Sequence, residues 1–437
     1  MSTKFPRQVT LEQSSTPDKD VMRILILSWE YPPDLAGGLG RHVAELAPAL
    51  VQQGVKLDVV TPIPKPIFGQ LPEQIEIDPE DITSRAVVTT EDGIIVHRIL
   101  VPHREKPLDI FNRATEVNQI LEQYVLALYQ QGQAWDLLHT HDWLTGFASI
   151  ALHHSKRLPL ITTIHATERG RGRGYIWNDL QRAIDQAEQD LIHQSDRIIV
   201  CSHYMDFELR TFFQVAAEKM SVVPNGVDIK SLHIQNEDPQ QFRAKFAEPD
   251  KQIVFTVSRL VHEKGIHRLV EATPRILSEC PNARIVIAGR GPEADNLKRQ
   301  AEYLNVADHI NFMGFVSDED RNLLFKVANC AIFPSLYEPF GIVALEAMAL
   351  GCPVIVSEVG GLAEIVVHEE TGITVYPDDA NSVAWGVVRA IHHPKNALEY
   401  AIKARQQVEE MFNWPRIAGL TKDIYEAVIA QTANESV

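Results

Sequence analysis

Short apolar runs rich in Val, Ile and Leu alternate with longer amphipathic stretches along almost the whole chain. In the first half the runs RILILS (23–28), VKLDVVT (55–61), GIIVHRILV (93–101), DLLHT (136–140), PLITTIH (159–165), DRIIVCS (196–202) and MSVVPN (220–225) predict strands. Most lack the strict apolar/polar alternation of a sheet with one wet face, so they predict parallel strands covered by helices on both sides. The polar stretch 229–250, with two prolines, breaks the rhythm and reads as a connection. Alternation restarts with IVFTVS (253–258), ARIVIAG (283–289), INFMGF (310–315), CAIFP (330–334), PVIVS (353–357) and GITVY (372–376). Two such series predict an α/β chain of two doubly wound, Rossmann-like domains facing one cleft. The expected bounds are a loose polar tail over 1–20, a first domain over 21–228 and a second over 229–411. The stretch 414–430 predicts a closing helix, with Pro415 near its start.

Composition narrows the function classes. The 437 residues are 45% hydrophobic, ample for normal cores. Lysine and arginine number 41 against 58 acids, a net charge of −17. So acidic a surface repels polyanions, which argues against nucleic acid as a partner and against broad adhesion to anionic membranes. The four cysteines are scattered with no CxxC, which fits small buried hydrophobes in a reducing compartment rather than zinc or redox motifs. The first apolar run, 22–27, is too short for a signal peptide or a membrane span. A cytoplasmic chain is expected; its oligomeric state has no sequence signal.

Four segments carry candidate chemistry. DLAGGLGRHVAEL (34–46) follows the first strand and opens a helix, so Gly37, Gly38 and Gly40 are expected to let backbone turn tightly beside a ligand; the plain reading is a ligand-free turn. GRGPEA (289–294) matches G-x-G-x-x-A after a strand, the motif of a nicotinamide enzyme, but Pro292 sits inside it and INFMGF ends in no acid to hold a ribose. In SRLVHEKG (258–265), Arg259 and Lys264 could neutralise a pyrophosphate, or form a solvated basic turn. SLYEPFG plus the helix after it carries Glu338 and Glu346. If one helix spans both, they stand about 80° and ~12 Å apart, too far to act as the ~5 Å couple of a retaining glycosidase. Each acid then needs a separate role. Glu338 stands at a mouth marked by Pro339 and Gly341, and Glu346 on an apolar face where an unpaired charge is costly. A capping glutamate plus a core salt bridge is the plain alternative.

Glu338-Pro339-Phe340-Gly341 followed by Glu346 resembles the E-x7-E signature of the retaining family 4 glycosyltransferases and of the related glycogen and starch synthases. Arg259 and Lys264 resemble their donor-phosphate clamp, Gly37-Gly38-Leu39-Gly40 their glycine loop, and HDWLTG (141–146) the HDWHTG of bacterial glycogen synthases; TIHATE (163–168) is similar to glycogen-synthase relatives as well. The likeness runs in order from about residue 22 to the end. It implies the GT-B arrangement, a donor-binding second domain, an acceptor-binding first domain, and a C-terminal helix (412–437) crossing back to the first. It implies that Glu346 holds the donor ribose and Glu338 contacts the donor sugar. Backbone N–H groups of Phe340, Gly341, Ile342 and Val343 would touch sugar and phosphate, with Gly38 also on the donor. His141 would support the reacting sugar, while Arg259 and Lys264 would stabilise the departing diphosphate. Gly37, His165 and Glu168 fall on the acceptor side.

No cofactor and no metal is then required. His139 and His141 share a strand face if the strand reaches that far, but the sequence offers them no evident third ligand. The family resemblance implies transfer of a hexosyl unit, glucose first, from ADP- or UDP-glucose to an α-glucan with retention of configuration. The alternative acceptors are a sugar phosphate, a lipid-linked sugar or another glycan. Leu35 and Leu144 stand where bacterial glycogen synthases carry Lys and His, and ERGRGRG (168–174) is either a contact for an anionic acceptor or a solvated loop. A carbohydrate-binding protein without turnover is the rival of a different class.

Overall fold

The computed structural model describes residues 21–34, 37–64, 78, 80–102, 106, 108–232 and 239–435; the expected tail 1–20, Leu35 and residues 233–238 of the expected connection lie outside them. The described residues form two compact units. One runs to Cys201 and adds Asp206–Val223 and the chain from Trp414; the other is Ser202–Met205 with Pro224–Asn413. The division thus falls at Val223/Pro224 rather than at 229, and at Asn413/Trp414 rather than at 412.

The first unit is built on β1 (Arg23–Leu27), β2 (Lys56–Pro64), β3 (Ala86–Glu91), β4 (Ile94–Val101), β5 (Leu137–His141), β6 (Leu160–Ile164), β7 (Arg197–Val200) and β8 (Met220–Val222). Their order across the sheet is β3-β4-β2-β1-β5-β6-β7-β8. Every pairing is parallel except β3 with β4. That hairpin turns on Asp92 and Gly93, both at positive φ, 49° and 82°. The central strands are dry on both faces, as their unbroken apolar runs require: Ile24 to Leu27 are at most 1% exposed. The closing helix Trp414–Glu435 packs on the helix Gly38–Gln52, where Trp414, Ile417, Ala418, Tyr425 and Val428 share a core with Val43, Leu46, Ala47 and Leu50.

The second unit holds β9 (Gln252–Val257), β10 (Ala283–Ala288), β11 (Ile310–Gly314), β12 (Cys330–Phe333), β13 (Val354–Ser357) and β14 (Ile373–Val375), all parallel, in the order β11-β10-β9-β12-β13-β14. Chain order reverses direction beside β9, with β10 on one flank and β12 on the other. The equivalent reversal in the first sheet lies at β1, between β2 and β5. Loops leaving the carboxyl ends of strands at such a reversal diverge to opposite faces and open a crevice. Among the described residues no helix is long and apolar enough to cross a membrane.

Candidate functional site

In the second unit the loops after β9, β10, β12 and β13 converge at the reversal, and glycine lets them. Gly265 has φ +65°, and a Cβ there would lie 1.9 Å from the carbonyl oxygen of Pro334, in the loop after β12. Gly361 brings the loop after β13 against the same segment: its N–H donates to the Glu338 carbonyl at 3.0 Å, and a Cβ would meet Phe340 Cα at 2.4 Å. Leu336 N–H donates to the Glu263 carbonyl at 2.7 Å, tying the loops after β9 and β12 directly. Across the reversal Lys264 Nζ donates to Glu338 Oε2 at 2.6 Å, and Ser335 Oγ donates to the same oxygen at 3.1 Å. Both charged side chains are mostly buried, while Arg259 beside them is 60% exposed and lies 3.8 Å from Glu263.

The helix expected to cover both acids begins only at Ile342 and ends at Ala349. Gly341 caps it at φ 111°, so Pro339 precedes the helix rather than starting it, and Glu338 lies on the approach to its N-terminus. That N-terminus aims the first backbone N–H groups of Ile342 and Val343 out of the helix. Glu346 is 2% exposed and faces Arg321, whose Nη2 is 3.3 Å from Oε1. Arg321, on the helix Asp318–Val327, also donates to Asp318 and Asn322. The salt-bridge reading of Glu346 therefore has a named partner. GRGPEA bends round a cavity of about 290 Å³ lined by Leu260, Ile287, Gly289, Arg290, Gly291 and Phe312. Phe315, 70% exposed, stacks under Arg290 at 5.5 Å.

In the first unit β5 does reach His141, and it places His139 and His141 on one face, both fully buried. His139 Nδ1 meets the Tyr425 hydroxyl at 2.7 Å and its Nε2 the Thr163 hydroxyl at 2.8 Å. His141 Nδ1 lies 3.1 Å from His165 Nε2, so one ring donates to the other. Among the described residues His141 Nε2 is buried with no hydrogen-bond partner. His42 of the helix Gly38–Gln52 completes the group, its ring centroid 4.8 Å from that of His165. The group that gathers is not the His139–His141 pair: His42, His141 and His165 have ligand nitrogens within 4.8 Å of one another, a spacing that could hold a metal ion. Burial disfavours the charged imidazolium, pushing His139 down to about 3, His165 down to about 4, and His141 well below its ordinary value.

Asp142 follows at φ 56° and accepts the His165 N–H at 2.7 Å; burial pushes its carboxyl up to about 6. Glu168 N–H donates to the Glu188 carboxylate at 3.0 Å, and burial raises Glu188 well above the usual range. Gly37 is not a tight turn. Its φ is −157°, an extended conformation open to any residue, and a Cβ there meets nothing within 4 Å among the described residues. Gly38 and Gly40 lie inside the helix. The arginine run is not a uniform basic loop either: Arg169 makes a two-pronged ion pair with Asp185, and Arg171 stands 3.7 Å from Glu168. Sequence reasoning passed over Ser335, Arg321, His42 and the Gly360-Gly361 pair. The last had a visible signal, a double glycine directly after a strand.

Two parallel-sheet α/β domains, each carrying charged and glycine loops at the carboxyl edge of its strands, define a glycosyltransferase of the GT-B class. The profile described as Glycosyl transferases group 1 matches residues 237–407, and that described as Glycosyltransferase Family 4 matches residues 36–231. An uncharacterized glycosyltransferase of Methanocaldococcus jannaschii is 35% identical over 93% of this chain and 98% of its own length. A glycogen synthase of Mycobacterium tuberculosis is 33% identical over 93% and 95%. A sucrose-phosphate synthase structure from Thermosynechococcus elongatus covers 94% of this chain and 100% of its own, with TM-score 0.74 and 26% identity. The chain belongs to the family 4 glycosyltransferases, glycogen-synthase-like, and is a hexosyltransferase.

Proposed function

We propose that the enzyme moves glucose from ADP- or UDP-glucose to an α-glucan, with retention of anomeric configuration. The Lys264–Glu338 ion pair, held across the sheet reversal by glycine-dependent loops, carries this reading. An ammonium and a flanking guanidinium at a helix N-terminus suit a diphosphate leaving group. In this scheme the diphosphate takes Lys264 from Glu338, which is then free to accept hydrogen bonds from the donor sugar. Arg259 closes on the phosphates from its exposed position. The cavity at Gly289–Gly291 is large enough for the nucleoside, whose ribose hydroxyls fall to Glu346. In the first unit His141 is assigned to support the reacting sugar, and His165 and Glu168 take the acceptor side. The acceptor attacks from the face the diphosphate leaves, through an oxocarbenium-like state. No metal and no cofactor enters this scheme.

A sugar-phosphate acceptor is the second reading, favoured by the similarity to a sucrose-phosphate synthase. Release of diphosphate from ADP- and UDP-glucose, measured with glycogen, maltooligosaccharides and sugar phosphates, separates the two. Turnover with glucan and not with sugar phosphates is the expected result. Turnover with sugar phosphates alone replaces the first reading by the second, and NAD(H) binding without affinity for nucleoside diphosphates ends both.

A further inference from the structure

We infer that Tyr175 and Trp177 form a surface platform that binds the outer chains of an α-glucan away from the reacting hydroxyl; this rests on the α-glucan reading above. The two rings are 64% and 72% exposed, side by side on one short loop. Their centroids lie 5.4 Å apart with the planes 32° off parallel. Large rings left in water forgo burial, and a contiguous pair of them marks a contact surface.

The loop is built to hold them out. It leaves the helix Glu168–Arg171 at Gly172, where a Cβ would sit 2.0 Å from the Tyr175 carbonyl oxygen. Tyr175 N–H donates to the Gly172 carbonyl at 3.0 Å and Gly174 N–H to the Arg169 carbonyl at 2.8 Å. Gly174 itself has φ +90°. Trp177 N–H donates to Gln181 Oε1 at 2.8 Å, and Asn178 caps the next helix through Gln181 N–H at 2.9 Å. Rigid aromatic rings bind at little entropic cost.

Charge selects the occupant. Arg169 is paired with Asp185, Arg171 stands beside Glu168 and Arg182 beside Asp179, Arg173 is exposed on the loop, and the whole chain carries −17, so an anionic lipid surface is disfavoured by the net charge. A sugar ring is neutral, offers an apolar C–H face to an aromatic ring, and directs hydroxyls sideways to groups such as Asn178 and Asp179. Two rings set at an angle match successive sugars of a curved chain better than one flat ligand. The loop follows directly on Glu168 through a short helix and a hydrogen-bonded turn, so Trp177 lies within about 20 Å of Glu168, and a glucan branch of several sugars is long enough to touch both.

The test is the double variant Tyr175→Ala/Trp177→Ala, with Trp177→Tyr as the conservative control. Both side chains are exposed, so the fold survives the change. Glycogen affinity is read by electrophoresis in glycogen-containing native gels, and kinetics are read with glycogen and with maltotriose. We expect glycogen to bind about 10-fold more weakly, equal to about 1.4 kcal/mol, and its KM to rise accordingly. Donor KM and turnover on maltotriose stay unchanged, and Trp177→Tyr retains most of the affinity. Unchanged glycogen KM in a double variant that still elongates glycogen overturns the platform alone. So does loss of binding to phosphatidylglycerol vesicles in place of glycogen, or a change in sedimentation that reveals a self-association face. A wild-type enzyme that neither binds nor elongates glycogen overturns the α-glucan reading and the platform together.

Discussion

Replacing Arg321 by Met asks whether Glu346 serves the fold, the donor or both. The two side chains are 8% and 3% exposed and their charged atoms are 3.3 Å apart. Removing one partner of a buried pair leaves the other charge desolvated and costs about 3–5 kcal/mol. Glu346 has further interactions, and Arg321 also holds Asp318 and Asn322, so the lower end, about 3 kcal/mol, is the expected loss. In a unit of this size that lowers the melting temperature by on the order of 10 °C. Glu346→Gln keeps the shape and removes the charge, and the double variant should recover part of the loss, since pairs in contact couple by about 0.5–3 kcal/mol. Urea unfolding of the four proteins gives that coupling. Calorimetric titration with ADP and UDP gives the second readout: Glu346→Gln should weaken nucleotide binding about 10-fold or more, and Arg321→Met much less. Stability of Arg321→Met within about 0.5 kcal/mol of wild type would refute the burial argument. Unchanged nucleotide affinity in Glu346→Gln would reduce Glu346 to its salt bridge.

Three further outcomes follow from the same geometry. Lys264→Met should slow diphosphate release about 100-fold or more, whereas exposed Lys56→Ala should leave it unchanged; near-normal release by Lys264→Met would contradict the clamp. Tyr425→Phe strips the partner from buried His139 Nδ1 and should cost about 1–3 kcal/mol in urea unfolding, and a neutral result would dismiss that hydrogen bond as structural support. Stability should also fall in acid. His139 and His165 have folded values of about 3 and about 4, below their ordinary 6.5, so the unfolded chain binds their protons first; their contribution is full above pH 6.5 and lost as pH drops through that window. Asp142, raised to about 6, has the opposite sign: its contribution is full below 3.8 and lost as pH rises through 6. His165→Asn should therefore flatten the pH 4.5–6 slope by about one proton, ~1.4 kcal/mol per pH unit, and an unaltered slope would show that His165 is not held neutral.

The strands of the second unit were legible because each is a short apolar run ended by Gly, Pro or Ser, and the six predicted are the six observed. In the first unit β3 escaped because its apolar run, Ala86-Val87-Val88, is only three residues long before Thr89-Thr90-Glu91; Asp92-Gly93 between it and β4 was the available signal. The helix after Glu338 was placed too early because proline is common at a helix start, whereas here Gly341 supplies the left-handed turn that begins it. Arg321 against Glu346 and His42 against His165 had no local signature. Each pair joins elements far apart in the chain, and nothing in a single sequence says which faces will meet.

What the sequence could carry was the order of loops along the chain, and topology turns that order into a site. Arg259 and Lys264 leave β9 and Glu338 leaves β12, strands that are neighbours although two others intervene in the chain. A helix-covered parallel sheet must reverse its winding somewhere, and the reversal at β9 alone places these loops on adjacent strand ends with no strand between them. The pairing of Lys264 with Glu338 is thus a consequence of strand order, and the glycines at 265 and 361 are what let the backbones come close enough to realise it. Side chains there would hold the loops apart, so Gly361→Ala should raise the KM for donor more than it lowers the melting temperature; the reverse ranking in a kinetic and thermal comparison would assign the glycine to packing rather than to the site.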